Sequence, residues 1–268
     1  MRDTFLIVDG NSLMHRAFHA LPLMDYNGVY TNAVHGFLSM LLRCIRERAP
    51  RYCAVAFDEH APTFRHTEYE EYKAGRAPTP DELRPQFDII KEILSSMGLG
   101  VLSLTGYEAD DILGTLSSQC AQRDIAALLL TGDRDALQLV SDDTTLLLTR
   151  KGISEIEECT PARVQELFGV RPDQITDLKG LMGDSSDNIP GIPGVGEKTA
   201  VKLLTSYDTL ENVLAHADEI KGKLGEKVRD NAEKGRFSKY LATIRRDIPL
   251  QVHYDACETQ HLADGLPV

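Results

Sequence analysis

Five short apolar runs constrain this chain more than any other feature: residues 5–8 (FLIV), 52–57 (YCAVAF), 101–105 (VLSLT), 126–131 (AALLLT) and 145–149 (TLLLT). Runs of this length, bounded by turn formers, read as buried strands. Between them lie longer stretches with helical spacing, at 35–46, 87–97 and 111–120. Strands alternating with helices predict an α/β fold with a mostly parallel central sheet flanked by helices.

Four of the runs are followed by acids. Asp9 follows the first and Asp58 the second. Glu108, Asp110 and Asp111 follow the third after a Gly-Tyr step, and Asp133 and Asp135 follow the fourth after Gly132. A single Asp after a strand is ordinarily a turn former or a helix cap, and Asp9 before Gly-Asn-Ser fits that reading alone. Open parallel sheets, however, carry their functional crevice at the carboxyl ends of the strands. All these acids are therefore expected at one edge of one sheet, where like charges repel unless cations neutralise them. On charge alone, removing any of them is expected to raise the stability of the metal-free protein. The candidate ligands are all carboxylates, with no histidine at ligand spacing. Oxygen-only ligation selects Mg2+ or Mn2+ over zinc, and a pair of such ions about 4 Å apart clamps a phosphodiester for hydrolysis.

A different texture follows Thr160-Pro161. In LMGDSSDNIPGIPGVGEKTA (181–200), Asp184 and Asp187 stand three apart, on one face of a helical turn. Gly191, Gly194 and Gly196 then lead through Lys198 and Thr199 into a helix. Glycines there let backbone N–H groups approach a phosphate without reading bases. The spacing is not that of a P-loop. Residues 219–247 hold nine Lys and Arg against five acids, a basic stretch that reads as a second footprint on nucleic acid. The segment 60–86 mixes rings and cations (Arg65, His66, Tyr69, Tyr72, Lys73, Arg76) in the manner of a single-strand contact, although Glu68, Glu70 and Glu71 interrupt it.

The chain has 268 residues, 42% of them hydrophobic, enough for a sizeable core. Its five scattered cysteines form no Cys-x-x-Cys pair, as expected of a reduced intracellular protein. No stretch approaches the roughly 20 apolar residues of a membrane helix, and a cytoplasmic protein without a membrane partner is expected. The net charge of −12 argues at first sight against a nucleic-acid partner.

Taken in order, VDGNSL (8–13), VAFDEHAPTFRHTEYEEYKAGRAPTPDEL (55–83), GYEADD (106–111), TGDRDALQL (131–139) and LMGDSSDNIPGIPGVGEKTA (181–200) resemble the 5′ nuclease (5′-3′ exonuclease) domain of bacterial DNA polymerase I, within the flap endonuclease family. The resemblance covers nearly the whole chain. It implies a PIN-like nuclease core over 1–160 with a helical arch near 60–86, a helix-hairpin-helix region over 161–258, and a tail over 259–268. It assigns Asp9, Asp58, Glu108, Asp110 and Asp111 mainly to one metal position, and Asp133, Asp135, Asp184 and Asp187 to the second. Lys73 and Arg76 would steady the scissile phosphate, and Tyr72 would stack on a base. Arg16 and Arg65 would face the DNA, and the hairpin would hold duplex, often with K+. One ion would lower the pKa of a bound water and the other would stabilise the leaving 3′-oxygen. The activity implied is structure-selective hydrolysis at 5′ flaps, nicks and single-strand/duplex junctions, in primer removal and repair, by a monomer that is free-standing or the front of a polymerase. The charge also falls into place: without the nine site acids, the remaining 32 nearly balance 29 Lys and Arg. Two other readings compete. One is a junction-binding module without catalysis. The other is a phosphatase-like fold with Asp9 as nucleophile, which gives the hairpin no role.

Overall fold

The structure is a computed structural model that describes residues 2–263; positions 264–268 of the expected tail lie outside the described residues. The first half runs through β1 (Thr4–Asp9), α1 (Gly10–Ala20), a small hairpin of β2 (Asp25–Tyr26) and β3 (Val29–Tyr30), α2 (Asn32–Arg48), β4 (Tyr52–Ala56), α3 (Phe64–Glu68), α4 (Arg84–Ser96), β5 (Gly100–Leu102), α5 (Ala109–Gln122), β6 (Ala126–Thr131), β7 (Thr144–Thr149) and β8 (Ile156–Cys159). A helical half follows: α6 (Pro161–Phe168), α7 (Ile175–Met182), α8 (Glu197–Tyr207), α9 (Leu210–Ala215), α10 (Lys223–Asp230) and α11 (Ala232–Ala242).

The six-stranded sheet has the order β5-β4-β1-β6-β7-β8. All neighbours pair in parallel except β8, which runs antiparallel along the edge. The third strand is shorter than the apolar run predicts. The ladder stops where β4 ends, at Ala56 opposite Leu102, and beyond it the Ser103 and Thr105 hydroxyls donate to the Glu59 carboxylate. β8 (IEEC) was not legible as a strand, since its charged alternation suits an edge facing water.

Side chains alternate across β1 as a two-residue period requires. Phe5 and Ile7 pack with α5 and the helical half, whereas Leu6 and Val8 pack with α1, α2 and α4. Both faces are covered, so the strands are apolar throughout. β1 sits between β4 and β6, and the crossovers diverge on either side of it. Its carboxyl end is thus the switch point where a crevice opens. Gly10 allows the tight exit from β1: a Cβ there would stand 2.4 Å from the Phe57 ring. Among the described residues, no helix is long and apolar enough to cross a membrane.

Candidate active site

The strand ends deliver their acids to one cleft of about 1060 Å3, floored by Asp9, Asp58, Asp110 and Asp133. Asp9 ends β1 and caps α1. Its Oδ1 accepts from the Ser12 N–H at 2.9 Å and its Oδ2 from the Thr131 hydroxyl at 2.7 Å. Asp58 follows β4, where its N–H donates to Asn11 Oδ1 and its Oδ1 accepts from the Ala109 N–H at 2.7 Å. Asp133 follows β6 and accepts the Asp135 N–H at 2.9 Å. These bonds fix Asp9, Asp58 and Asp133 by backbone, amide and hydroxyl groups, and among the described residues none of the four has a Lys or Arg at salt-bridge distance. Asp110 goes further, since its buried Oδ1 has no hydrogen-bond partner among the described residues.

The other five acids are held by cations. Lys73 Nζ lies 2.7 Å from Glu108, and Arg76 pairs with Asp187. Lys179, which the sequence reading missed, bridges Asp135 (2.6 Å) and Asp184. It lies in the last turn of α7, five residues before Asp184, a spacing that could have flagged it. Asp111 is the clearest departure from expectation. Fully buried, it receives both Nη groups of Arg65 at 2.8 Å and the N–H groups of Arg245 and Glu108. Its oxygens face the packed interior instead of the cleft.

Two expected DNA contacts are corrected in the same way. Arg65 is 2% exposed and Tyr72 4%, so neither presents itself to a strand. Arg65 also donates to the Leu241 and Thr243 carbonyls, while the Tyr72 hydroxyl donates to Glu108 and Asp187. Before α4 begins at Arg84, the segment 60–86 is helical only over Phe64–Glu68. Its turn at Lys73 adopts a left-handed φ of 56° and docks on the 184–189 loop: the Lys73 N–H donates to the Asp187 carbonyl and Asn188 Nδ2 to that of Glu71. A non-glycine residue in that region is strained and persists only where its surroundings hold it.

Burial, aided by the charges of Asp58 and Asp133 and opposed by its two hydrogen bonds, pushes the Asp9 carboxyl up to about 7. Burial and then Asp133 push Asp135 up to about 6, against the pull of Lys179. Burial, then Asp133 and Asp9, hold Asp110 well above the usual carboxylate range. Asp184 goes the other way: burial would raise it, but Lys179 and Ser186 hold it down. Unfolded, these carboxyls titrate near 4. Between there and about 7 the native state therefore binds more protons than the unfolded chain, so stability falls as pH rises. Asp184, already ionised across that window, does not offset the fall. In EDTA the melting temperature is expected to drop between about pH 5 and 7.5, by roughly 2–4 °C for each kcal/mol lost. A steady rise over that range would refute these proton counts.

In the helical half, the 183–196 loop is anchored by buried Ile192 and Val195 and exposes Pro193, Gly194 and Gly196. Glycine is required at 191, where φ is 62° and a Cβ would meet Gly183 N at 2.2 Å, and at 194, where φ is 80°. Gly196 is different, having open space and an extended backbone as the cap of α8. Lys198 and Thr199 lie in the first turn of α8, Lys198 exposed and Thr199 half-buried. The basic stretch 219–247 is smaller as a footprint than its composition indicates. Arg229, Arg236 and Lys239 are paired to Asp218, Glu211 and Asp177. Arg246 is turned inward onto the Gln138 carbonyl.

The residues fit a hard divalent cation. Every donor is a carboxylate, four lack a cationic partner, and one buried oxygen lacks any partner. Among the described residues, no three His, Cys, Asp or Glu side chains already close on one point as a complete ligand set.

The chain thus joins an acid-floored cleft at the switch point of a parallel sheet to a helical half that carries a solvent-facing glycine hairpin. The chain belongs to the 5′-3′ exonuclease family. The model of its N-terminal resolvase-like domain matches residues 4–169, and that of its C-terminal SAM fold matches residues 170–264. It is 49% identical over 257 residues to DNA polymerase I of Bacillus caldotenax, covering 95% of this chain and 29% of that protein. It is 47% identical over 261 residues to DNA polymerase I of Bacillus subtilis (strain 168), covering 97% and 30%. The chain thus spans about 30% of the length of these relatives. Among solved structures it resembles T5 5′-exonuclease with bound zinc (TM-score 0.73, 22% identity, 89% of each chain). It also resembles the catalytic core of Rad2 in complex with DNA substrate (TM-score 0.59, 14% identity, 96% of this chain and 82% of that one).

Proposed function

We propose that this chain is a structure-selective 5′-3′ exonuclease and 5′-flap endonuclease that hydrolyses DNA phosphodiesters with Mg2+ or Mn2+. Its place would be primer removal and repair, in the cytoplasm, as a monomer or as the front of a polymerase. The observation that carries this reading is the unpartnered Asp110 oxygen, in the first turn of α5, among Asp9, Asp58 and Asp133, cation-free carboxylates that follow neighbouring strands. Those four would hold the first ion, and Glu108, Asp135, Asp184 and Asp187 would join a second once their own cations let go. Bound there, the ions supply Lewis-acid charge and a water acidified to near neutral pH.

The protein's own groups do the rest. Asn11, Ser12, Thr131 and the Ala109 N–H hold the carboxylates in place. Lys73 and Arg76, released from Glu108 and Asp187, would steady the scissile phosphate over the floor. The exposed hairpin would grip duplex backbone through its amides, with its carbonyls the place for K+. We assign the nuclease core to 1–160 and the DNA-gripping helical region to 161–258.

The test is cleavage of a 5′-flap duplex and a nicked duplex by the chain in Mg2+ and in Mn2+. Cleavage near the junction, leaving 5′-phosphate and 3′-hydroxyl ends and abolished by EDTA, is expected. Junction binding without cleavage in either metal would establish the non-catalytic reading instead. Turnover of small phosphate esters but not DNA would favour a phosphatase.

A further inference from the structure

The two halves of the acid cluster stand in different states. Among the described residues, Asp9, Asp58, Asp110 and Asp133 have no Lys or Arg at salt-bridge distance, and Asp110 keeps a bare oxygen. Asp135 and Asp184 share a cation instead. Lys179 Nζ lies 2.6 Å from Asp135 Oδ1 and also pairs with Asp184 Oδ2. The other Asp184 oxygen accepts the Ser186 N–H at 2.7 Å and the Ser186 hydroxyl at 2.6 Å. That carboxylate is thus satisfied by the protein alone.

Lys179 differs from the other cations of the cluster in where it is rooted. Lys73 and Arg76, which answer Glu108 and Asp187, stand on the turn that follows α3. A turn can swing away and take its side chains with it. Lys179 stands in the last turn of α7, a helix packed against α8 and α11. A Cβ on the next residue, Gly180, would come within 2.9 Å of Lys239 Cβ, so α7 has no room to shift there. The Lys179 side chain is 17% exposed and is not among those lining the cleft, so its ammonium meets the two acids from the α7 side. A divalent ion drawn to Asp135 and Asp184 therefore meets a resident positive charge. Charges of +2 and +1 about 4 Å apart repel enough, even at the dielectric of water, to change a binding constant about tenfold or more. Giving up the two ion pairs to make way for the ion weakens its binding as well.

We propose that Lys179 is a resident counter-ion of the Asp135–Asp184 pair that competes with the second divalent ion and holds its affinity far below that of the first. Lys179 is a positioning residue: it acts on the ion through the two carboxylates and stabilises them when no metal is bound. This inference rests on reading the acids as the metal site of a nuclease, and the experiment separates the two.

Mn2+ alone is titrated into the full chain, with free ion followed by electron paramagnetic resonance and binding heats by calorimetry. Wild type is expected to take one ion and then a second about tenfold or more weakly. Lys179→Met keeps an unbranched stem without the charge and is expected to tighten the second ion by about tenfold or more, and by more than the first. Lys179→Arg keeps the charge and should track wild type. In EDTA, Lys179→Met should melt below wild type, because Asp135 and Asp184 lose their counter-charge, and saturating Mn2+ should raise its midpoint by more than it raises that of wild type. A Lys179→Met chain that folds only with Mn2+ is the same result in stronger form. If it folds in neither condition, lysine ammonium NMR of wild type decides: the signal absent from Lys179→Arg should move with the second phase of a Mg2+ titration, and movement with the first phase overturns the proposal. An unchanged second affinity in Lys179→Met, a Lys179→Arg that behaves like Lys179→Met, or a wild type that fills both positions equally also overturns it. Uptake of no Mn2+ by any of the three proteins removes the metal reading and this inference together. A tightened second ion in a chain that cuts neither flap nor nicked duplex leaves the role of Lys179 standing and removes the nuclease reading. Cleavage with unaltered ion affinities does the opposite.

Discussion

Asp110→Ala is expected to reduce DNA cleavage by about 10³-fold or more while raising the melting temperature of the metal-free protein. The two effects have one origin. Asp110 is half-buried, its buried Oδ1 has no partner among the described residues, and Asp133 and Asp9 repel its charge. Such a carboxylate contributes nothing to folding above its own pKa and is useful only to a cation. Each 1 kcal/mol of repulsion removed should move the midpoint upward by roughly 2–4 °C. Single-turnover cleavage of a 5′-flap duplex in Mg2+ and thermal melting in EDTA at about pH 8 read the two halves separately. Near-normal cleavage would remove Asp110 from the site, and an unmoved or lower midpoint would mean that its burial is relieved in some other way.

The neighbouring substitution, Asp111→Ala, is expected to act in the reverse sense on stability. It leaves the Arg65 guanidinium buried with only Glu108 as a charge partner and strips acceptors from the Arg245 and Glu108 N–H groups. Breaking a buried pair from one side destabilises by about 3–5 kcal/mol. At roughly 2–4 °C per kcal/mol, the midpoint should fall by about 10 °C. Urea unfolding in EDTA measures the loss without any contribution from metal, and an unchanged midpoint would show that Asp111 anchors nothing. Charge repulsion alone predicts a rise for every acid in the cluster. The paired environment of Asp111 is the reason that this one should depart from it.

The contrast between these two residues also marks how far the sequence could be read. The acids after the apolar runs were legible, because strand direction and sheet topology determine where a strand's carboxyl end must lie. The orientation of each side chain was not. Consecutive residues on a helix point about 100° apart, so with α5 starting at Ala109, Asp110 and Asp111 cannot both face the cleft. Which of them turns inward depends on Arg65, whose partners lie at 108, 111, 241 and 243 and meet only in the folded chain. The same holds for Tyr72, whose ring and cation neighbourhood suggested base stacking but whose hydroxyl is bonded beneath the turn. The hairpin glycines at 191 and 194 were legible because their backbone geometry leaves no alternative.

The position of β1 has a kinetic consequence. Phe5 pairs with Tyr52 and Leu6 with Leu128, so the central strand closes one long loop on one side and a much longer one on the other. Closing such loops is entropically slow. The acids of the floor are strangers along the chain and become neighbours only when both pairings exist. Their mutual repulsion is therefore absent from the unfolded ensemble and enters near the end of folding. Interactions that form after the transition state alter the unfolding rate far more than the folding rate. Neutralising the floor thus lengthens the lifetime of the assembled state and leaves the time needed to assemble it nearly unchanged.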